Sequence, residues 1–211
     1  MSTRREMLTG LVAAAGLSAM AATSKASMPV RGNRDYCAIA AEYSRDVLSG
    51  KIPACNWVKL SCQRQVDDLE RAREGWDYHF SEDAGNRVCR FIEQLPHTKG
   101  RWAQRGEKLV LSPWQCWLET TLFGWIRNND GFRRYRTAYL CVPRKNGKSA
   151  LAAGTGLYMF LADGEFGAEV YSGATSERQA WEVFRPAKQI VDRTQPLKDA
   201  YKIYSGAKNM A

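Results

Sequence analysis

The most constraining feature of this chain is the junction Val142-Pro143-Arg144-Lys145-Asn146-Gly147-Lys148-Ser149. It stands between an apolar run, Thr137-Ala138-Tyr139-Leu140-Cys141-Val142, and a helical pattern over 148–161. Glycine lets a backbone approach an anion with no Cβ in the way. The amides of a helix start point at such an anion, and the helix dipole adds to the attraction. Gly-Lys-Ser or Gly-Lys-Thr arises by chance in about one chain in ten of this length, so the context carries the argument. An apolar strand before the loop and a helix after it are what a phosphate-binding loop requires. The same residues also fit an ordinary strand-to-helix turn with solvated lysines.

The surrounding pattern predicts an α/β fold. A strand over 137–142 leads through the loop into the helix 148–161, closed by Asp163-Gly164. A second strand, Ala168-Glu169-Val170-Tyr171-Ser172, precedes a helix over 176–193 with Ala180, Phe184, Ala187 and Val191 on one side. Strand, loop, helix, strand, helix is the opening of a parallel sheet. Upstream the periodicity is helical: Tyr36, Ile39, Ala40, Tyr43 and Val47; then Val58, Cys62, Val66 and Leu69; then Val88, Phe91, Ile92 and Leu95, stopped by Pro96. A polar connector follows, and Leu109-Val110-Leu111 reads as a short extended piece. Ser112-Pro113 reads as an N-cap and first helical turn, with Trp114, Leu118, Thr121, Leu122 and Trp125 on one face of the next helix and a turn at Asn129-Asp130-Gly131.

Composition narrows the classes. With 45% hydrophobic residues among 211, the chain can bury a core and is not a disordered segment. The net charge of +9 favours a polyanionic partner, although charge alone also suits a basic protein with no such ligand. No stretch has the length and apolarity of an ordinary transmembrane helix, and no membrane partner is expected. The six cysteines form no Cys-x-x-Cys pair, which disfavours a structural zinc site and suggests reduced thiols on helix faces. Residues 1–27 carry Arg4-Arg5 ahead of a short apolar run. They read either as a twin-arginine-type signal or as an extension upstream of a start at Met28.

With these residues in hand, the chain resembles the large subunit of the tailed-phage terminase, from about residue 34 to about 194. Arg144-Lys145-Asn146-Gly147-Lys148-Ser149 is similar to that family's deviant Walker A loop, which commonly lacks the first glycine and carries an arginine. Leu111-Ser112-Pro113-Trp114-Gln115 with Leu122-Phe123-Gly124-Trp125 resembles its adenine-recognition segment. Glu169-Val170-Tyr171-Ser172-Gly173-Ala174-Thr175 with Gln179-Ala180 resembles its motif after the second strand. Asp46-Val47-Leu48-Ser49-Gly50-Lys51-Ile52-Pro53 and Phe91-Ile92-Glu93-Gln94-Leu95-Pro96 are similar to its N-terminal part. The basic, aromatic-rich segment Asp130-Gly131-Phe132-Arg133-Arg134-Tyr135-Arg136 suits either contact with DNA phosphate or a structural lead-in.

The resemblance implies a partial P-loop NTPase sheet preceded by an N-terminal helical region. It divides the chain into 1–27, a helical region 28–105 and the front of an ATPase domain at 106–211, without the family's Walker B strand or its nuclease domain. The implied cofactors are ATP and Mg. Lys145, Asn146, Gly147, Lys148 and Ser149 would hold the triphosphate, Ser149 would ligate magnesium, Gln115 would read adenine, and Arg144 would act catalytically on the γ-phosphate. The implied partners are double-stranded DNA, a terminase small subunit, the portal protein and further copies in a homo-oligomeric ring, in the host cytoplasm. The full parent is expected to be an ATPase, and this stretch alone to be inactive. The alternatives are a helicase-like P-loop ATPase, an exported non-catalytic protein and an inactive prophage remnant.

Overall fold

A computed structural model describes residues 34–207 and 209–210; the signal-like segment 1–27 lies outside them. Three helices build the front of the chain: α1 (Tyr36–Leu48), α2 (Asn56–Arg73) and α3 (Glu82–Gln94). Each begins and ends for local reasons. The Asp35 side chain accepts from the Ala38 amide at the start of α1. Ser81 does the same for Ala84 at the start of α3, where Glu82 and Asp83 complement the helix dipole. Gly50 follows α1 at φ 82, a conformation open to glycine and costly for other residues.

The expected face of α3 is the buried one: Val88, Phe91, Ile92 and Leu95 are all inside. On α2 the buried residues are Cys62, Gln65 and Asp68, so this helix presents polar groups inward that require partners. They find them across a two-stranded antiparallel sheet. β1 (Tyr78–Phe80) pairs with β2 (Trp125–Arg127), with His79 opposite Ile126. The Trp125 indole donates to Gln65 Oε1 at 2.8 Å, and Asp68 receives Arg134 at 2.6 Å.

The connector after α3 holds one short helix, α4 (Gly100–Gln104). The predicted extended piece at 109–111 is a tether and does not form a strand. The Leu109 amide donates to the Leu95 carbonyl at 2.8 Å, and Leu109 and Leu111 are buried with Val110 exposed between them. The central helix is α5 (Pro113–Gly124), packed against both α1 and α3. Its most buried residues are Cys116, Glu119, Thr120, Thr121, Phe123 and Gly124. Of the expected face, Thr121 and Trp125 are buried, while Trp114, Leu118 and Leu122 are only partly buried, so the innermost face is shifted from the expected one. The reason is close approach: a Cβ on Gly85 of α3 would stand 3.3 Å from Thr120 Cβ. Small and polar residues fit there, and large apolar ones are displaced to the flanks.

The second half contains α6 (Lys148–Leu161), α7 (Glu177–Arg193) and α8 (Gln195–Tyr201). α6 matches the expected helix. α7 starts at the expected Ser176 cap and buries Pro186, Ala187, Ile190 and Val191 against α6. One core runs through both halves, from Tyr36 and Ile92 to Leu157, Ile190 and Ile203.

The two strands expected at 137–142 and 168–172 are corrected. Neither segment has regular secondary structure, and the strands among the described residues are antiparallel. A strand exists through ladder bonds to a neighbour, and the backbone of an unpaired segment is left to water. Accordingly Tyr139 is 92% and Tyr171 83% exposed. The architecture of the described residues is mixed helical with a small sheet, compatible with α/β but without a parallel sheet.

Candidate functional site

The loop 143–147 is closed by its own side chains. Lys148 Nζ donates to the carbonyl of Val142 at 2.6 Å and to that of Pro143 at 2.8 Å. Asn146 Nδ2 donates to the same Pro143 carbonyl at 3.2 Å. These bonds draw the lysine ammonium inward over the loop. The geometry needs two left-handed residues, Lys145 at φ 71 and Gly147 at φ 75. Gly147 is the N-cap of α6 and makes no side-chain cap bond. The first-turn amides of a 14-residue helix therefore have no side-chain acceptor, and they carry its positive dipole end.

Lys148 and Ser149, the first two residues of α6, are half-buried, while Arg144, Lys145 and Asn146 are exposed. Gln115 lies in the first turn of α5, some thirty positions earlier in the chain, yet a Cβ on Gly147 would stand only 3.3 Å from its Nε2. The structure thus brings Gln115 against the loop. The same side chain completes a capping box: its Oε1 accepts from the Ser112 amide at 2.9 Å. Its amide nitrogen faces the loop while its oxygen holds the helix start.

A buried network sets where that helix begins. Glu93 on α3 accepts from the Leu111 amide and from the Tyr36 hydroxyl, both at 2.8 Å, and is paired with Arg34. Leu111 immediately precedes the capping serine, so Glu93 anchors the segment that delivers Gln115. Further along α5, the carboxyl of Glu119 meets Thr155 on α6 at 2.8 Å. Burial pushes the Glu119 carboxyl up to about 7. Ring contacts also join α5 and α6, with Phe123 edge-on to Tyr158 at 5.2 Å.

The basic segment 130–136 is occupied internally. Arg133 pairs with Asp163 at 2.8 Å and lies over the Phe123 ring. Arg134 pairs with Asp68 and stands 4.4 Å from the Trp76 ring centroid and 4.9 Å from that of Tyr135. Both side chains serve as structural anchors; Arg136 is exposed. Residues of the later motif are tied to the first turn of α7, which Ser176 caps. Thr175 Oγ1 donates to Gln179 Oε1 at 2.6 Å, and Ser172 Oγ donates to the Ala180 carbonyl at 2.9 Å. The segment 168–172 runs beside α6, with Val170 Cγ1 3.6 Å from the position of a Cβ on Gly156.

Sequence reasoning missed Glu93, Glu119 and Thr155. The only signal for Glu119 is an acid set among apolar positions one helical turn after Gln115, a pattern that says nothing about its partner.

The arrangement suits a phosphorylated ligand: a cationic lysine within the loop, unclaimed helix-start amides, a hydroxyl at Ser149 and an amide group at Gln115 alongside. A family model for the terminase large subunit, ATPase domain, matches residues 113–203, which takes in Gln115, the loop, α6 and α7. No curated protein and no solved structure matches the chain.

Proposed function

We propose that the loop 143–147 with Lys148 and Ser149 binds ATP with magnesium and powers DNA packaging in the working motor, a reading supported by the match of residues 113–203 to the family model for the terminase large subunit, ATPase domain. The observation that carries this reading is the placement of Lys148. Its ammonium is held over the loop by two backbone carbonyls at the start of α6. An incoming triphosphate offers stronger acceptors than neutral carbonyls, since hydrogen bonds to charged oxygens are about twice as strong. Lys148 would exchange its loop partners for phosphate oxygens. The helix-start amides would hold the same anion, and the Ser149 hydroxyl would meet the cation. Magnesium, when bound, would neutralise charge that develops on the phosphate oxygens.

Gln115 would present its amide to the adenine edge, a group with both donor and acceptor. Its Oε1 keeps a second lone pair beyond the capping bond. Arg144, exposed on the loop, would stabilise the equatorial oxygens of the transferred phosphoryl group. Lys145 and Asn146 shape the loop, the first through its left-handed backbone and the second through its bond to Pro143. Double-stranded DNA, the small subunit, the portal and ring neighbours are the proposed partners, with a nuclease activity in the same motor.

The test is Lys148→Ala in the 211-residue chain, measured by titration with a fluorescent ATP analogue and magnesium. Loss of a charged hydrogen-bond donor should weaken binding roughly tenfold to a hundredfold. Equal affinity in the two proteins would remove Lys148 from the site and the reading with it.

A further inference from the structure

Glu119 has no role in the site described above, yet it is placed to control that site. It lies four residues after Gln115 on α5, one turn along the same face. Its side chain is 2% exposed, Oε1 meets Thr155 Oγ1 at 2.8 Å, and Oε2 has no hydrogen-bond partner. Thr155 Oγ1 also lies 3.0 Å from the Leu151 carbonyl. A threonine hydroxyl has one proton to donate and lone pairs with which to accept. Both short contacts are served at once when Glu119 is a neutral acid: its Oε1–H donates to Thr155 Oγ1, and Thr155 donates to Leu151. With Glu119 ionised, a buried charge rests on one hydrogen bond, with its other oxygen bare.

Among the described residues no cation is paired with that charge. Of the titratable groups on the elements around α5, Cys37 and Tyr43 of α1, Cys89 of α3 and Tyr158 of α6 are neutral thiols or phenols; the charged groups there, Glu42, Arg45 and Asp46 of α1, Glu82, Asp83, Arg87, Arg90 and Glu93 of α3 and Lys148 of α6, form no ion pair with Glu119. Burial raises Cys37, Tyr43 and Tyr158, Cys37 and Tyr158 to about 12, and the bond to Cys116 together with burial raises Cys89, so all four are neutral near pH 7. On α5 itself, Cys116 shares a hydrogen bond with Cys89. The Arg34–Glu93 pair acts on Cys116, a turn before Glu119.

Thr155 sits two turns into the helix that begins at Lys148, and Leu151 donates its amide to the Gly147 carbonyl at 2.9 Å. The hydrogen-bond chain from Glu119 through Thr155 and Leu151 therefore ends at the loop residue beside which Gln115 lies. We propose that Glu119 is a positioning residue for the nucleotide site: as a neutral acid it locks the helix carrying Gln115 to the helix that starts at the phosphate loop, and loss of its proton loosens the lock and weakens nucleotide binding. This rests on the nucleotide-binding reading and adds to it a pH-sensitive control.

The test compares the wild-type chain with Glu119→Gln, whose amide keeps a donor toward Thr155 and has no proton to lose. A fluorescent ATP analogue with magnesium is titrated from pH 6 to pH 8.5. Wild-type affinity should fall about fivefold or more across that range, the size of a modest coupling between sites, while E119Q should vary less. Parallel decline in the two proteins overturns the proposal. Thr155→Val, which keeps the volume and removes the hydroxyl, should bind at pH 6 no better than wild type does at pH 8.5; binding at the wild-type level overturns it too. Hydrogen exchange over residues 142–151 without nucleotide separates this proposal from the reading beneath it. Exchange in wild type should exceed that in E119Q at pH 8.5 and equal it at pH 6. If no protein binds nucleotide, the nucleotide reading fails, and the exchange comparison still decides whether the proton locks the helices; equal exchange at both pH values says that it does not.

Discussion

The replacement Arg134→Met tests the anchor that leads the chain toward the loop. Arg134 donates to Asp68 at 2.6 Å, and the Asp68 side chain is only 2% exposed. The guanidinium lies within 5.5 Å of the ring centroids of Trp76, Tyr78, Trp125 and Tyr135. Methionine keeps much of the apolar stem and can rest against the rings, which recovers about 0.3–1.5 kcal/mol. It leaves the Asp68 charge buried, and stranding one partner of a buried pair costs about 3–5 kcal/mol. Arg71, at 3.7 Å with a side chain 64% exposed, compensates by no more than about 1 kcal/mol. The net expectation is a loss of about 3 kcal/mol. Urea unfolding followed by tryptophan fluorescence reads it directly, because Trp76 and Trp125 line the cluster. The double variant Asp68→Asn/Arg134→Met removes the stranded charge and should recover at least about 1 kcal/mol relative to R134M. A single-variant loss below about 1 kcal/mol, or a double variant as unstable as the single, would refute the claim that this pair anchors the segment.

Two further outcomes are expected. Gly124→Ala should destabilise by about 1 kcal/mol or more, because the new Cβ would stand 2.5 Å from Phe80 Cε2 in a ring packed on Trp125; chemical denaturation measures it, and wild-type stability would show that Phe80 moves aside freely. The pH dependence of stability follows from Glu119, whose folded-state value is raised by burial from 4.5 to about 7. The folded chain keeps this proton after the unfolded chain has released it. The contribution is complete below about pH 4.5, falls as pH rises and is spent above about pH 7, a span worth roughly 3 kcal/mol. Thermal or urea unfolding from pH 4.5 to 8 should show this decline in wild type and a flatter course in E119Q, and equal slopes would contradict it.

Much of the helical framework was legible from periodicity. The stripe Val88/Phe91/Ile92/Leu95 is buried as its 3.6-residue spacing demands, and of Tyr36/Ile39/Ala40/Tyr43/Val47 the first, third and fifth are buried, whereas of Val58/Cys62/Val66/Leu69 only Cys62 is, the inward face of that helix being Cys62, Gln65 and Asp68. Local chemistry likewise marked the helix starts at Ser112 and Ser176 and the loop before Lys148, because caps and left-handed glycines are properties of a few neighbouring residues. The family match over 113–203 agrees with the resemblance read from the loop and its neighbouring motifs.

What only the tertiary structure decided depends on partners distant in the chain. Thr137 to Val142 and Ala168 to Ser172 have strand composition, but a strand needs a neighbour, and no local pattern says whether one is supplied. The sheet that did form joins Tyr78–Phe80 to Trp125–Arg127, segments too short to show a period. The same holds for the charged groups. Arg133 and Arg134 look like a phosphate-contacting run until Asp163 and Asp68 are found against them. Glu119 looks like a surface acid on an amphipathic helix until Thr155 meets it inside the fold. Periodicity and capping are set by residues within a turn of one another, so the sequence alone determined the helices and the loop. Pairing, burial of charge and the meeting of Gln115 with Gly147 are set by contacts across the chain, and only folding decides them.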